Sequence, residues 1–296
     1  MVELDIEGID GSRARLQCYV DEAATGAPGA VSGDGSEPSA SSDPADAPLQ
    51  QDPRPAVLVL PGGAYAITAD SEAEPVALRM RELGYRAFVL RYSCAPSVYP
   101  VALLQVAEAV RLIREHAVAW GVNPHAIAVL GFSAGGHLAG LFAESWDSPL
   151  MAEHGFDPRD IRPDALALGY PVITAQGRLA PSLKNLLGPD RAADPRWLGR
   201  MSLELHVTDS VPPAFLWTTA TDELIPAQHS LLFACALIEA GIGCELHVFP
   251  RGGHALSLAT EQTASSPEDV VPCVQVWPDL FDTWMRGLFP QTLSWR

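Results

Sequence analysis

The chain has 296 residues, 48% hydrophobic and 19% charged, long enough for one large domain that buries roughly 75% of its extended-chain surface. Lys and Arg total 19 against 36 Asp and Glu, a net charge of −17, so the clustered positive charge that nucleic acid or an anionic membrane requires is missing. No run of about 18 apolar residues marks a transmembrane helix, and Met1-Val2-Glu3-Leu4-Asp5 lacks the basic and apolar regions of a secretory leader. Cys18, Cys94, Cys235, Cys244 and Cys273 are widely spaced, odd in number and without a C-x-x-C pair. They indicate neither a zinc ribbon nor a disulfide framework, and the expected setting is reducing and cytoplasmic.

In chain order, Val2 to Ile6 and Ala14 to Val20 look like strands. Residues 22–54 then hold five Pro, four Gly, five Ser and seven Ala, with Val31 and Leu49 the only large apolar residues. Such a stretch buries too little to offset its ordering entropy, so it is expected to be a disordered inserted loop. From Asp21 through Asp52 it carries seven acids, and loop closure grows only logarithmically with length, so a long surface insertion is cheap. Short apolar runs follow at 56–60, 86–91, 126–131, 164–170, 214–220 and 244–249. Their near-continuous apolar character predicts strands buried on both faces, hence a mostly parallel sheet under helices. Helices are expected over 71–83, closed by Gly84, over 100–120 before Gly121, and over 226–240 from Pro226 to Gly241. Residues 172–212 break the rhythm with Pro, Gly and short amphipathic pieces, as a cap-like excursion would.

The strongest local signal is Gly131-Phe132-Ser133-Ala134-Gly135, a G-x-S-x-G directly after the strand at 126–131, followed by small, helix-compatible residues. A serine at a sharp strand-to-helix turn needs small neighbours because the backbones crowd there. The turn lifts Oγ above the sheet and aims a helix N-terminus at it. A hydroxyl is a weak nucleophile without a base, and the chain offers eight histidines. His247 falls mid-strand, while His137 and His229 fall within helices; all three read as packing or surface residues. His116, His125, His154 and His206 lack a strand-end context. His254 follows the last strand on Pro250-Arg251-Gly252-Gly253, where α/β sites assemble. The imidazole needs a carboxylate partner, and Asp222 follows the strand at 214–220; Glu223 is the nearest rival and Asp209 a weaker one. Pro61-Gly62-Gly63-Ala64-Tyr65 follows the strand at 56–60, so the amides of Gly63 and Ala64, with that of Ala134, are expected to form an oxyanion hole.

These residues resemble the α/β-hydrolase-fold esterases, in particular the acetylxylan-esterase-like or acetyl-esterase group related to hormone-sensitive lipase. The resemblance covers about residues 55 to 290 and rests on Leu60-Pro-Gly-Gly-Ala-Tyr65, Tyr99-Pro100, Gly131-Phe-Ser-Ala-Gly-Gly-His-Leu-Ala139, Pro212-Pro-Ala-Phe-Leu216, Thr221-Asp-Glu-Leu-Ile-Pro226 and Phe249-Pro-Arg-Gly-Gly-His254. It implies an α/β-hydrolase fold and places the triad on Ser133, Asp222 and His254. The chain departs from relatives that open the oxyanion loop with His-Gly-Gly, having Pro61, and it carries Ala64 where a third glycine is common. Ala64 narrows the approach in favour of a small acyl group, while Tyr65 is a candidate wall of the substrate site that would equally suit an aromatic acid.

The sequence therefore points to a serine carboxylesterase acting through an acyl-enzyme. The resemblance implies short-chain acetyl esters, such as O-acetylated sugars or xylo-oligosaccharides, as substrates. No cofactor or metal is expected, since Asp and His pairs at ligand spacing are not visible, and no nucleic-acid or membrane partner is expected. Two alternatives share parts of the pattern. A peptidase of the prolyl-oligopeptidase type has the same triad order but usually a large extra domain. A non-catalytic binding protein on a hydrolase scaffold would not need every triad position filled. The seven Trp residues are expected mostly to pack.

Overall fold

The computed structural model describes residues 2–20, 53–175 and 181–290. The expected acidic insertion at 22–54 lies outside the described residues except at its end, where Arg54 already opens a strand. The strands are β1 (Val2–Glu7), β2 (Arg13–Tyr19), β3 (Arg54–Leu60), β4 (Arg86–Arg91), β5 (Val122–Phe132), β6 (Ala165–Gly169), β7 (Ala214–Thr219) and β8 (Cys244–Phe249). The helices are α1 (Glu74–Glu82), α2 (Val101–Glu115), α3 (Ala117–Trp120), α4 (Ser133–Ala143), α5 (Pro149–Glu153), α6 (Pro158–Ile161), α7 (Pro181–Ala192), α8 (Pro195–Arg200), α9 (Gln228–Glu239) and α10 (Trp277–Leu288).

The strands form one sheet in the order β1-β2-β4-β3-β5-β6-β7-β8. β1 and β2 pair antiparallel, as do β2 and β4, and every later pair is parallel. The parallel strands are apolar throughout because helices cover both faces. Leu58 and Leu60 of β3, Phe88 of β4, Val129 of β5 and Leu216 of β7 enter one core. Their neighbours Val57, Val59, Val89, Leu130, Phe215 and Trp217 enter the other. The two-residue alternation of a strand thus feeds two apolar layers. α2 and α4 pack in the first, while α1 and α10 pack in the second.

Gly84 and Gly241, expected to stop helices, sit just past the ends of α1 and α9 at φ +99° and +76°. The expected helix over 100–120 is divided at His116 into α2 and α3. β5 begins four residues earlier than expected, because Val122 pairs with Arg54 across a register shift. The chain leaves β3 for β4 on one side and returns to place β5 on the other. The crevice at a topological switch point therefore opens beside the carboxyl ends of β3 and β5, where Leu60 lies opposite Gly131. Between β6 and β7, α7, α8 and a 3₁₀ turn at Leu203–Leu205 occupy the described part of the expected excursion. Among the described residues, no helix is long and apolar enough to cross a membrane.

Candidate active site

Ser133 stands at the turn from β5 into α4. Its φ is +51°, a left-handed conformation that costs a non-glycine residue on the order of 1–3 kcal/mol and is held only by its surroundings. The surroundings are backbone. A Cβ on Gly131 would collide with the Gly135 carbonyl, and one on Gly135 with the carbonyls of Leu60 and Pro61. The bare positions of the motif are thus a steric requirement of folding β3, β5 and α4 around one point.

Ser133 Oγ lies 2.7 Å from His254 Nε2, and His254 Nδ1 lies 2.7 Å from Asp222 Oδ2. Asp222 Oδ1 accepts the amides of Leu224 and Ile225, each at 2.9 Å. The carboxylate is thereby fixed with Oδ2 facing the imidazole, and its side chain is fully buried. An acceptor at Nδ1 places the ring proton there, leaving Nε2 free to accept from the serine hydroxyl. The loop that carries His254 is itself tied down. Thr219 Oγ1 and Thr221 Oγ1 donate to the Gly252 carbonyl, and the Gly252 amide donates to Thr221 Oγ1. Glu223 and Asp209 are exposed and take no part.

The loop after β3 is held at almost every polar atom except those expected to face a substrate. Tyr92 Oη donates to the Pro61 carbonyl at 2.6 Å, and the Gly62 amide donates to Glu72 Oε2 at 2.6 Å. Asn185 Nδ2 of α7 donates to the Ala64 carbonyl at 2.9 Å, and the Ala95 amide donates to the Tyr65 carbonyl at 2.8 Å. Ala64 and Tyr65 both adopt positive φ, 55° and 56°. The amides of Gly63 and Ala64 donate to no group among the described residues. Ala134 follows Ser133 in the first turn of α4, where amides lack intrahelical acceptors. These three amides are the ones the sequence assigned to an oxyanion.

Tyr65 does not form the expected wall. It is 1% exposed, and its hydroxyl donates to His137 Nδ1 at 2.8 Å, while His137 Nε2 donates to the Met201 carbonyl at 3.0 Å. Both imidazole nitrogens are engaged in a neutral ring, and burial pulls its pKa down to about 4. Tyr65 therefore anchors its loop to α4 rather than facing the crevice. His229, expected to pack, accepts the amides of Ile173 and Thr174 at Nδ1.

Sequence reasoning passed over Glu72, Tyr170 and Asn185, and read His137 only as a packing or surface residue. Glu72 is 1% exposed; Oε2 takes the Gly62 amide and Oε1 takes the Tyr170 hydroxyl at 2.6 Å. Burial pushes its carboxyl above the usual range, against those two hydrogen bonds. The one signal that could have found it is an acid directly before an apolar helical stretch, a weak one. Of the Trp residues, Trp120, Trp217 and Trp277 are buried in the cores; Trp295 lies outside the described residues.

The sheet order and the serine at the strand-to-helix turn, hydrogen-bonded to a histidine and an aspartate that follow it in the chain, define an α/β-hydrolase fold. The BD-FAE family profile matches residues 46–159, the stretch containing the loop after β3 and the elbow. The solved structure of an acetyl ester-xyloside bifunctional hydrolase from Caldicellulosiruptor lactoaceticus is similar at 34% identity, with 93% of this chain and 88% of that one covered and a TM-score of 0.73. Endo-1,4-beta-xylanase B of Butyrivibrio fibrisolvens is 36% identical over 71% of this chain and 33% of its own length. The acetylxylan esterase of Xylanibacter ruminicola is 28% identical over 69% of this chain and 42% of its own. The chain spans about a third to two fifths of these two curated relatives. It belongs to the acetylxylan-esterase-like α/β-hydrolases.

Proposed function

We propose that this chain is a serine carboxylesterase that removes short acyl groups, acetyl above all, from sugars or xylo-oligosaccharides. The observation that carries the reading is the continuous line Ser133 Oγ, His254 Nε2, His254 Nδ1, Asp222 Oδ2, with 2.7 Å at each hydrogen bond. Ser133 Oγ attacks the ester carbonyl carbon as its proton passes to His254 Nε2. The carbonyl oxygen becomes an oxyanion held by the amides of Gly63, Ala64 and Ala134, each such donor being worth about 3 kcal/mol in the transition state. The carbon–oxygen bond to the alcohol then breaks, and His254 returns the proton to the leaving alcohol. Water, deprotonated at the same Nε2, attacks the acyl carbon; the bond to Ser133 Oγ breaks, Oγ takes the proton back from Nε2, and the acid leaves. Asp222 fixes the imidazole and stabilises its transient cation.

The acetyl preference draws support from Ala64, whose methyl group stands where a glycine would leave more room, and from its anchoring by Asn185. We read the α7–α8 segment as a small cap bounding the acyl side. The names of the similar proteins, an acetyl ester-xyloside hydrolase and an acetylxylan esterase, support the sugar alcohol. Five cysteines without a disulfide fit a reducing, cytoplasmic setting, which suits oligosaccharides rather than polymer. The test is a series of p-nitrophenyl esters run beside acetylated xylo-oligosaccharides, with acetate release measured and an aminoacyl-anilide as the peptidase control. Acetyl esters should exceed octanoyl esters in kcat/KM by about tenfold or more, and the anilide should be inert. A preference for long chains would end the acetyl reading.

A further inference from the structure

The hydrolytic reading leaves Glu72, a buried carboxyl beside the site, without a task. Glu72 follows the oxyanion loop, in a 3₁₀ turn at Asp70–Glu72, and its carboxyl sits beneath the catalytic constellation. The two atoms nearest a Cβ built on Gly62 are Glu72 Oε2 at 2.7 Å and the Phe132 carbonyl at 2.9 Å, with Ser133 Cβ next at 3.0 Å. The carboxylate and the nucleophile thus flank the same glycine. From the other oxygen the contacts run toward the histidine. Tyr170 Oη donates to Glu72 Oε1 and accepts the Ser257 amide at 2.9 Å, three residues beyond His254. The Tyr170 ring stands edge-on to the His254 imidazole, with centroids 5.0 Å apart.

We propose that Glu72 is a positioning residue for hydrolysis: a buried carboxylate that ties the oxyanion loop to the histidine-bearing loop and adds negative potential beneath His254. Burial opposes the charge on Glu72, and the two donors it receives offset that cost. Both oxygens receive donors, Gly62 N–H and Tyr170 O–H, and the Tyr170 oxygen already accepts from Ser257. A protonated Glu72 would donate to the second lone pair of the Tyr170 oxygen only if the Tyr170 O–H turned away from Oε1, so the network as it stands suits the carboxylate. The groups facing His254 are Asp222 before α9, Ser133 on α4, Tyr170 after β6, His229 on α9 and Glu72. Asp222 and Glu72 are the negative ones. Asp222 holds the imidazole through a direct bond. Glu72 acts through space and through the two loops, so its removal should disturb both the oxyanion donors and the imidazolium.

The inference rests on the hydrolytic reading, and the experiment separates the two. Glu72→Gln is compared with Glu72→Asp, Tyr170→Phe and wild type in p-nitrophenyl acetate hydrolysis from pH 5 to 9, beside an NMR titration of the histidines with His254 assigned from its resonance lost in His254→Gln. In Glu72→Gln, kcat is expected to fall about tenfold or more with little change in KM. The acidic limb and the His254 titration should both move down by about half a pH unit or more, since a lost negative neighbour disfavours the cation. Glu72→Asp, which keeps the charge, should restore the titration toward wild type. Tyr170→Phe should lower kcat without moving His254 downward as far. A folded Glu72→Gln with an unmoved His254 titration overturns the proposal even if its rate falls, because a structural role alone would do that. If Glu72→Gln does not fold, a Tyr170→Phe enzyme with wild-type kcat overturns it instead. A wild type that hydrolyses no ester would sink the esterase reading, while the titration would still decide the role of Glu72.

Discussion

Asp222 offers its two carboxylate oxygens to different partners, and this asymmetry decides what a single-atom change should do. Oδ1 is occupied by the amides of Leu224 and Ile225. In Asp222→Asn the carbonyl oxygen must stay with those two donors, which turns the amide NH2 toward His254 Nδ1. That nitrogen then has to be the acceptor, the ring proton moves to Nε2, and Ser133 loses its base. We expect kcat to fall by about 10³–10⁴ with KM nearly unchanged, read from steady-state hydrolysis of p-nitrophenyl acetate. A variant within tenfold of wild type would mean that Asp222 does not set the tautomer. The hydrogen-bonded line of Ser133, His254 and Asp222 was legible in the sequence because each member follows a strand end and Ser133 lies between Gly131 and Gly135, which cannot bear bulk. The role of Tyr65 was not legible: its partner His137 lies 72 residues away, and sequence spacing carries no information about such a contact.

The elements around the crevice act by holding the loop after β3. Asn185 reaches it from α7, so Asn185→Ala frees the Ala64 carbonyl and lets the neighbouring amide drift. A loss of about threefold to tenfold in kcat/KM for acetyl esters is expected, with the unfolding midpoint nearly unchanged, as befits a single part-buried hydrogen bond. The His137 clamp between that loop and α4 makes a different demand, on pH. Its folded pKa of about 4 lies below the 6.5 of the unfolded chain. Between those values the unfolded chain binds the extra proton, so stability is lost as pH falls from about 6.5 to 4. The loss amounts to about 3 kcal/mol for this one group. Denaturant unfolding across that window should show a shallower pH dependence in His137→Gln than in wild type. Equal slopes would show that His137 titrates normally. All eight strands could be read in the sequence, six of them from apolar runs, yet α10 was passed over. Its Trp277, Phe281 and Met285 recur at a helical four-residue spacing that only the second core makes meaningful.

At the scale of the whole molecule, the net charge of −17 bears on which esters approach. A neutral acetylated sugar should be hydrolysed at a kcat/KM nearly independent of salt. An ester carrying a carboxylate should be disfavoured at low ionic strength and recover as salt rises, because the screening length is about 10 Å at 0.1 M. Parallel rate measurements from 10 to 500 mM NaCl check this, and a salt-independent anionic ester would show that the acidic surface is remote from the approach path. The fold class was legible at this scale because strands buried on both faces have few alternatives to a helix-covered parallel sheet. The antiparallel pairing of β1 and β2 at the edge was not, since it depends on which faces the helices leave free.

The central claim is that Ser133 is a nucleophile activated by His254. Treating the protein with a fluorophosphonate and mapping the adduct by peptide mass spectrometry tests it most directly. One phosphonyl group should appear on the peptide containing Ser133, in step with loss of ester hydrolysis, and Ser133→Ala should take up none. An unlabelled wild type, or hydrolysis that persists after Ser133 is fully modified, would contradict it.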